Sequence, residues 1–231
     1  MAETHAIKVS MPSLITPHLV SRRTLGSAGL AMSALTLLPV TGAVAQPALL
    51  PATPRQTTGP FYPVDWSGDV DADLVRVAGE AAQAQGTVTH LRGHVLDLRG
   101  EPIAGAVIEI WQCDAFGHYR HPRDRQDGRD AGFQGRGRAA VGPDGGFAFR
   151  TIRPVPYPGR TPHIHVAVAA PGRGEPLVTQ LYLADEPLNA RDGLFNALRD
   201  QRQRDAVLLR LEPADRIEPG ALLAMRDIVL G

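Results

Sequence analysis

The 231-residue sequence is poor in several things, and each shortage excludes something. Its single cysteine, Cys113, leaves no partner for a disulfide within the chain and rules out a CxxC-type zinc or redox site. Lysine and arginine number 24, as do aspartate and glutamate, so no net field marks nucleic acid or a membrane surface as a partner. The only extended apolar stretch, residues 26–44, is mild and interrupted by Pro39, glycine and threonine, which weighs against a membrane-spanning helix. Helical periodicity is also scarce. Only residues 192–202 carry it, with Leu194 and Leu198 one turn apart and Asp192 as a candidate cap.

What the chain does have is turn chemistry. The 24 glycines and 20 prolines, set among 43% hydrophobic and only 5% aromatic residues, favour many short strands joined by turns. Strands are expected over residues 90–98, 106–113, 147–152, 163–169, 177–183 and 224–230, and a long loop over 120–137. The fold class expected is all-β, an antiparallel β-sandwich with long loops at the site and one short helix. That architecture by itself says nothing about function.

The organisation expected is in three parts. Residues 1–45 form a signal segment, 46–87 an extended N-terminal stretch, and 88–231 the β-sandwich domain. Arg22-Arg23 precede the mild apolar run, which ends in Ala43-Val44-Ala45 before Gln46, a small-x-small cleavage pattern. Paired arginines before such a run resemble a twin-arginine export signal, so a periplasmic location is expected.

The sharpest local pattern is Thr161-Pro162-His163-Ile164-His165-Val166-Ala167-Val168. Alternate side chains of a strand share a face, so Ile164, Val166 and Val168 point one way and the two histidines the other. Two imidazoles on one face are placed to share a metal ion. Just upstream, Tyr157 stands between Pro156 and Pro158, which hold it extended in a loop unable to join a sheet interior. After the strand ending at Cys113 come Asp114-Ala115-Phe116-Gly117-His118-Tyr119-Arg120-His121-Pro122, with a second tyrosine at a strand-to-loop junction. Three readings stay open on these residues alone. They are a site of tyrosines and histidines, a site where His163 and His165 join a carboxylate such as Asp114, and a non-catalytic sandwich module with Trp111 as a platform.

Taken in order, these segments resemble the intradiol ring-cleavage dioxygenases, most closely their protocatechuate dioxygenase branch. The matching stretches are Thr57-Thr58-Gly59-Pro60-Phe61-Tyr62, Gly105 to Asp114, Gly117 to Pro122, Phe149 to Pro154, the Tyr157 loop, His163-Ile164-His165 and Leu177 to Tyr182. The resemblance implies a mononuclear Fe(III) site with Tyr119 and His163 as equatorial ligands and Tyr157 and His165 as axial ones. It implies Arg160 as the active-site arginine and Gln180 as a glutamine supporting the site. His118 and His121 flank Tyr119 without being needed, and His90 and His94 read as ordinary strand residues. The implied activity opens a catechol ring between its hydroxyls with dioxygen, giving a muconate-type diacid. Its partners would be a small catechol and O2, with no nucleic acid, no membrane span after processing, and a homo-oligomer as an option. The residue types suit that chemistry. Phenolates are hard anionic donors that favour ferric over ferrous iron, and a nearby guanidinium stabilises negative charge developing on the ring. The pattern departs from the protocatechuate enzymes in the short Tyr157–His163 spacing and in Gly159, which stands where they carry tryptophan. The stretch over 46–87 is also too short for the helical dimer-forming region of the catechol-specific branch.

Overall fold

A computed structural model describes residues 48–124 and 127–231. The expected export signal lies outside the described residues. Among the described residues no helix is long and apolar enough to cross a membrane.

Among the described residues, turn chemistry and alternation produce ten strands. In chain order they are β1 (Val88–Asp97), β2 (Val107–Trp111), β3 (Arg136–Ala140), β4 (Gly146–Ile152), β5 (His163–Ala169), β6 (Leu177–Leu183), β7 (Leu208–Leu209), β8 (Leu211–Pro213), β9 (Leu222–Met225) and β10 (Ile228–Leu230). One sheet runs β10-β1-β9-β8 with β4 also paired to β1, and the other runs β3-β2-β5-β6-β7. Inward residues of the two sheets form one core, including Leu91, Ile108, Ile110, Phe149, Ile164, Val166 and Leu181. Burying each such side chain contributes about 1.5–3 kcal/mol.

The all-β sandwich holds, but the sheets are mixed rather than purely antiparallel. β1 pairs in parallel with both β9 and β10, and β6 with β7. Parallel neighbours need a long crossover, and the helical stretch between β6 and β7 supplies one. The single helix expected over 192–202 is instead two, α1 (Gly193–Ala197) and α2 (Gln201–Asp205), after a short 3-10 helix over Pro187–Arg191. Leu198 turns extended and ends α1, while Asp200 accepts the Arg202 N–H and starts α2. The buried pair is therefore Phe195 and Leu198 rather than Leu194 and Leu198. The strand expected over 224–230 is divided between β9 and β10, where Arg226 bonds across to Arg92. β3 was not expected: it begins in the last two residues of the expected loop, and Arg136-Gly137-Arg138 shows no apolar alternation.

One glycine is fixed by space rather than by conformation. A Cβ on Gly93 would sit 1.9 Å from the carbonyl oxygen of Arg226, which is backbone and cannot swing away. Gly93→Ala should therefore destabilise the fold by about 3 kcal/mol or more, as severe overpacking does, and urea unfolding would show it as a lowered midpoint.

A second, smaller apolar cluster lies on the outer face of the second sheet. It comprises Trp111, Cys113, Tyr119 and Ala167, with Phe61, Val155, Tyr157 and Val178 packed on it. Burial, and then the neighbouring Asp114 charge, push the Cys113 thiol up to about 12. A thiol so protonated is a poor nucleophile. Native protein at pH 8 should therefore leave a disulfide reagent unreacted and consume one equivalent only in denaturant. Rapid reaction without denaturant would contradict this.

Candidate active site

Register assembles the site before any loop is considered. Across β2, β5 and β6, Trp111 pairs with His165, His165 with Gln180, and His163 with Tyr182. Because these residues lie directly opposite one another they share the outer face, while Ile164 and Val166 fill the core. Both histidines are about 1% exposed, so this face is covered.

The cover comes from three loops. The first follows β2, where Asp114 builds a turn. Its Oδ1 accepts the N–H groups of Phe116 and His118, and its Oδ2 accepts that of Asp130. Gly117 sits in this turn at φ +86°, a left-handed conformation natural to glycine. The turn delivers Tyr119, whose N–H is held by Asp124 at 2.7 Å and whose ring stacks on Phe61 at 4.6 Å. The second is the Pro-flanked tight turn in which the Arg160 N–H returns to the Tyr157 carbonyl. The third is the strap carrying Gln56 to Phe61. Gln56 donates to Thr179 Oγ1 and the Gln180 carbonyl and accepts from the Tyr182 hydroxyl, and Gln180 donates to the Thr57 carbonyl. Gly59 lies so close that a Cβ there would sit 3.3 Å from His165 Cε1.

These loops bring all four candidate metal residues together. His163 Nε2 is 3.2 Å from His165 Nε2 and 3.4 Å from Tyr119 Oη. The Tyr157 ring lies 5.6 Å from the His163 ring and 5.5 Å from that of Tyr119, edge to face with the latter. The Thr161 carbonyl accepts from His163 Nδ1 at 2.6 Å, which places the proton there and leaves the Nε2 lone pair facing inward. His165 Nδ1 has no hydrogen-bond partner, and the ring is held by Trp111, stacked at 4.7 Å and 7°.

The two candidate supporting residues join them. Arg160 donates from Nε to Asp192 at 2.8 Å, from Nη2 to Gln180 Oε1 at 2.6 Å, and faces Tyr157 Oη with Nη1 at 3.4 Å. Asp192 was legible only as a helix cap. Nothing in the sequence tied it to Arg160, 32 residues away.

Burial sets the protonation of the set. It pushes His163 down to about 4 and His165 well below its usual value, so both imidazoles are neutral at neutral pH. It holds the Tyr119 phenol well above its ordinary range, and raises Tyr157 despite the opposing charge of Arg160. Two inward imidazole lone pairs in contact, beside phenols that cannot ionise unaided, suit a highly charged cation that displaces the phenol protons. Bonds of about 2 Å from one ion would put adjacent donors roughly 3 Å apart, the spacing seen.

The other two readings fare worse. Asp114 spends its carboxylate on three backbone N–H groups, and among the described residues no group of three or more His, Cys, Asp or Glu could hold a metal. Trp111 is fully buried, so it is no surface platform. His121 lies buried against Phe61, His90 contacts Glu218 and His94 contacts Asp227.

Comparison with known proteins agrees. A family model described as Dioxygenase matches residues 57–217. The protocatechuate 3,4-dioxygenase beta chain of Burkholderia cepacia is 34% identical over 185 residues, covering 76% of this chain and 78% of that one. The hydroxyquinol 1,2-dioxygenase of Nocardioides simplex is 33% identical over 194 residues, 73% of this chain, which spans 59% of that longer enzyme. Among solved structures, the dioxygenase domain of a dioxygenase–carbohydrate-binding fusion from Streptomyces sp. SirexAA-E superposes with a TM-score of 0.61. It is 34% identical, and the match covers 78% of this chain and 98% of that domain. Protocatechuate enzymes are thus one of several kinds of relative, and the narrower branch expected from the sequence is not singled out.

Proposed function

This chain belongs to the intradiol ring-cleavage dioxygenase family, and we propose that it holds one ferric ion on Tyr119, Tyr157, His163 and His165. It is a non-haem iron dioxygenase that opens catecholic rings between their hydroxyls. The observation that supports this ligand set best is that His163 Nε2 lies 3.2 Å from His165 Nε2 and 3.4 Å from Tyr119 Oη. Bound there, ferric iron would supply the Lewis acidity that makes the catechol hydroxyls easier to ionise and the electron withdrawal that makes the ring reactive toward dioxygen.

The protein's own groups divide the remaining work. Tyr119 is locked by Phe61 and the Asp124 bond, while Tyr157 sits half-buried on a short turn, its ring against Tyr119 and His163 and its Oη 3.4 Å from Arg160. Tyr157 is therefore the phenol freer to move, and its oxygen, held as a phenolate with the ion bound, would become neutral again by taking one catechol hydroxyl proton. Arg160, anchored by Gln180 and Asp192, presents a fixed positive charge to the ring as negative charge develops on it. The strap from Gln56 to Phe61 keeps water from the imidazoles.

The test is an anaerobic titration of iron-loaded protein with catechol, hydroxyquinol and protocatechuate. Substrate binding should shift the visible band, and admission of air should yield a ring-opened diacid. Colourless protein without stoichiometric iron would end this reading. The proposal extends to export by the Arg22-Arg23 segment and to a homo-oligomer, of which the relatives named as alpha and beta chains support only that such enzymes assemble.

A further inference from the structure

Asp192 does more than start a helix. Its carboxylate side chain is fully enclosed and receives four hydrogen bonds. Oδ1 accepts the N–H groups of Leu194 and Phe195, both at 2.9 Å, which is the capping role visible in the sequence. Oδ2 accepts Arg160 Nε at 2.8 Å and the Thr161 N–H at 3.0 Å. Capping alone requires no carboxylate, since serine, threonine or asparagine serves as well. What a carboxylate adds is acceptor capacity on both oxygens and a charge to match a guanidinium.

From this geometry, and resting on the role given to Arg160 above, we propose that Asp192 is a positioning residue for the active site. It fixes the plane of Arg160, and its other Oδ2 contact holds the Thr161 N–H. The guanidinium is flat, and its Nε–H is pinned by Asp192 while Nη2 is pinned by Gln180 at 2.6 Å. Those two bonds remove rotation about the last side-chain bonds and leave Nη1 directed at Tyr157 Oη. Thr161, held by Asp192 at its N–H and by Asn189 at its hydroxyl, offers the carbonyl that accepts from His163 Nδ1 at 2.6 Å. One buried carboxylate thus sets the cation, while Asn189 keeps Thr161 anchored without it. Burial pushes its carboxyl up, but the N–H groups of Phe195 and Thr161 and the charge of Arg160 outweigh that and hold it below the usual range.

The experiment uses Asp192→Asn, which keeps the shape and, through Oδ1, the cap, but replaces Oδ2 and its charge with an NH2 group that cannot accept from Arg160 or Thr161. Iron content and KM for catechol should stay within about twofold of wild type, while kcat falls about tenfold or more, as expected when an interaction made only in the transition state is lost. In an Arg160→Ala background the same substitution should cost less than about twofold in kcat, because residues acting as a unit are not additive. Equal losses in both backgrounds would overturn the proposal. A readout free of iron is the Arg160 Nε–H proton of the metal-free protein in NMR, which should exchange slowly in wild type and rapidly in Asp192→Asn. Unchanged exchange would also overturn it. Should wild-type protein neither bind iron nor turn over a catechol, the functional reading fails, and the NMR result alone decides whether Asp192 holds Arg160.

Discussion

Replacing Tyr119 with phenylalanine should weaken and shift the visible band of the iron-loaded protein, leaving only the Tyr157 contribution, and lower its hold on iron by about tenfold or more. The magnitude follows from comparison with outer-shell partners of metal ligands, whose loss alone costs about 10–100-fold in affinity. The fold should survive. Tyr119 is 2% exposed and its ring is gripped by Phe61, stacked at 4.6 Å, so a phenylalanine ring fills the same slot and only an oxygen is lost. That oxygen is the group 3.4 Å from His163 Nε2. Burial keeps its phenol protonated in the metal-free protein, so only a strongly charged ion at this point can ionise it, and the visible colour reports that ionised pair. Iron content by elemental analysis and an absorption spectrum check the prediction. A variant with full iron and an unaltered band would remove Tyr119 from the ligand set, leaving the family assignment standing on the rest of the fold.

Replacing Arg160 with alanine should leave iron bound and slow turnover by about 10²–10³, the range for losing one preorganised donor aimed at developing charge. The structure says why this variant is interpretable. Asp192 would lose its guanidinium but keep the backbone N–H groups of Leu194, Phe195 and Thr161, so no bare charge is left buried. The expected loss of stability is therefore smaller than the 3–5 kcal/mol typical of breaking a buried ion pair. Steady-state kinetics with a catechol, together with melting temperature and iron content, separate the two effects. Near-normal kcat in a folded, iron-loaded variant would exclude Arg160 from charge stabilisation.

Much of this was legible from residue order. The alternation through His163, Ile164, His165 and Val166 set the two imidazoles on one face by geometry alone, and the prolines around Tyr157 announced a loop that stays out of the sheets. Five of the expected strands emerged close to their anticipated places. What was missed shares one character. β3, paired to β2 through Arg138 and its neighbours, has no apolar alternation, because as an edge strand it buries little. The parallel pairings of β1 with β9 and β10 join segments far apart in sequence, where no local propensity speaks. The helix broke in two because Asp200 offered a second cap, a local signal read too weakly.

The sequence by itself determined the donor types, the facing of the histidine pair and the order of motifs that identifies the family, since these rest on covalent spacing and strand periodicity. The tertiary structure decided which donors meet. It set Gln180 beside His165 by strand register, laid Gly59 and Trp111 on either side of one imidazole, and aimed Asp192 at an arginine 32 residues away. The physical reason is range. Periodicity acts over a few residues, whereas the distance between side chains from separate loops is fixed only when the two sheets close on their common core.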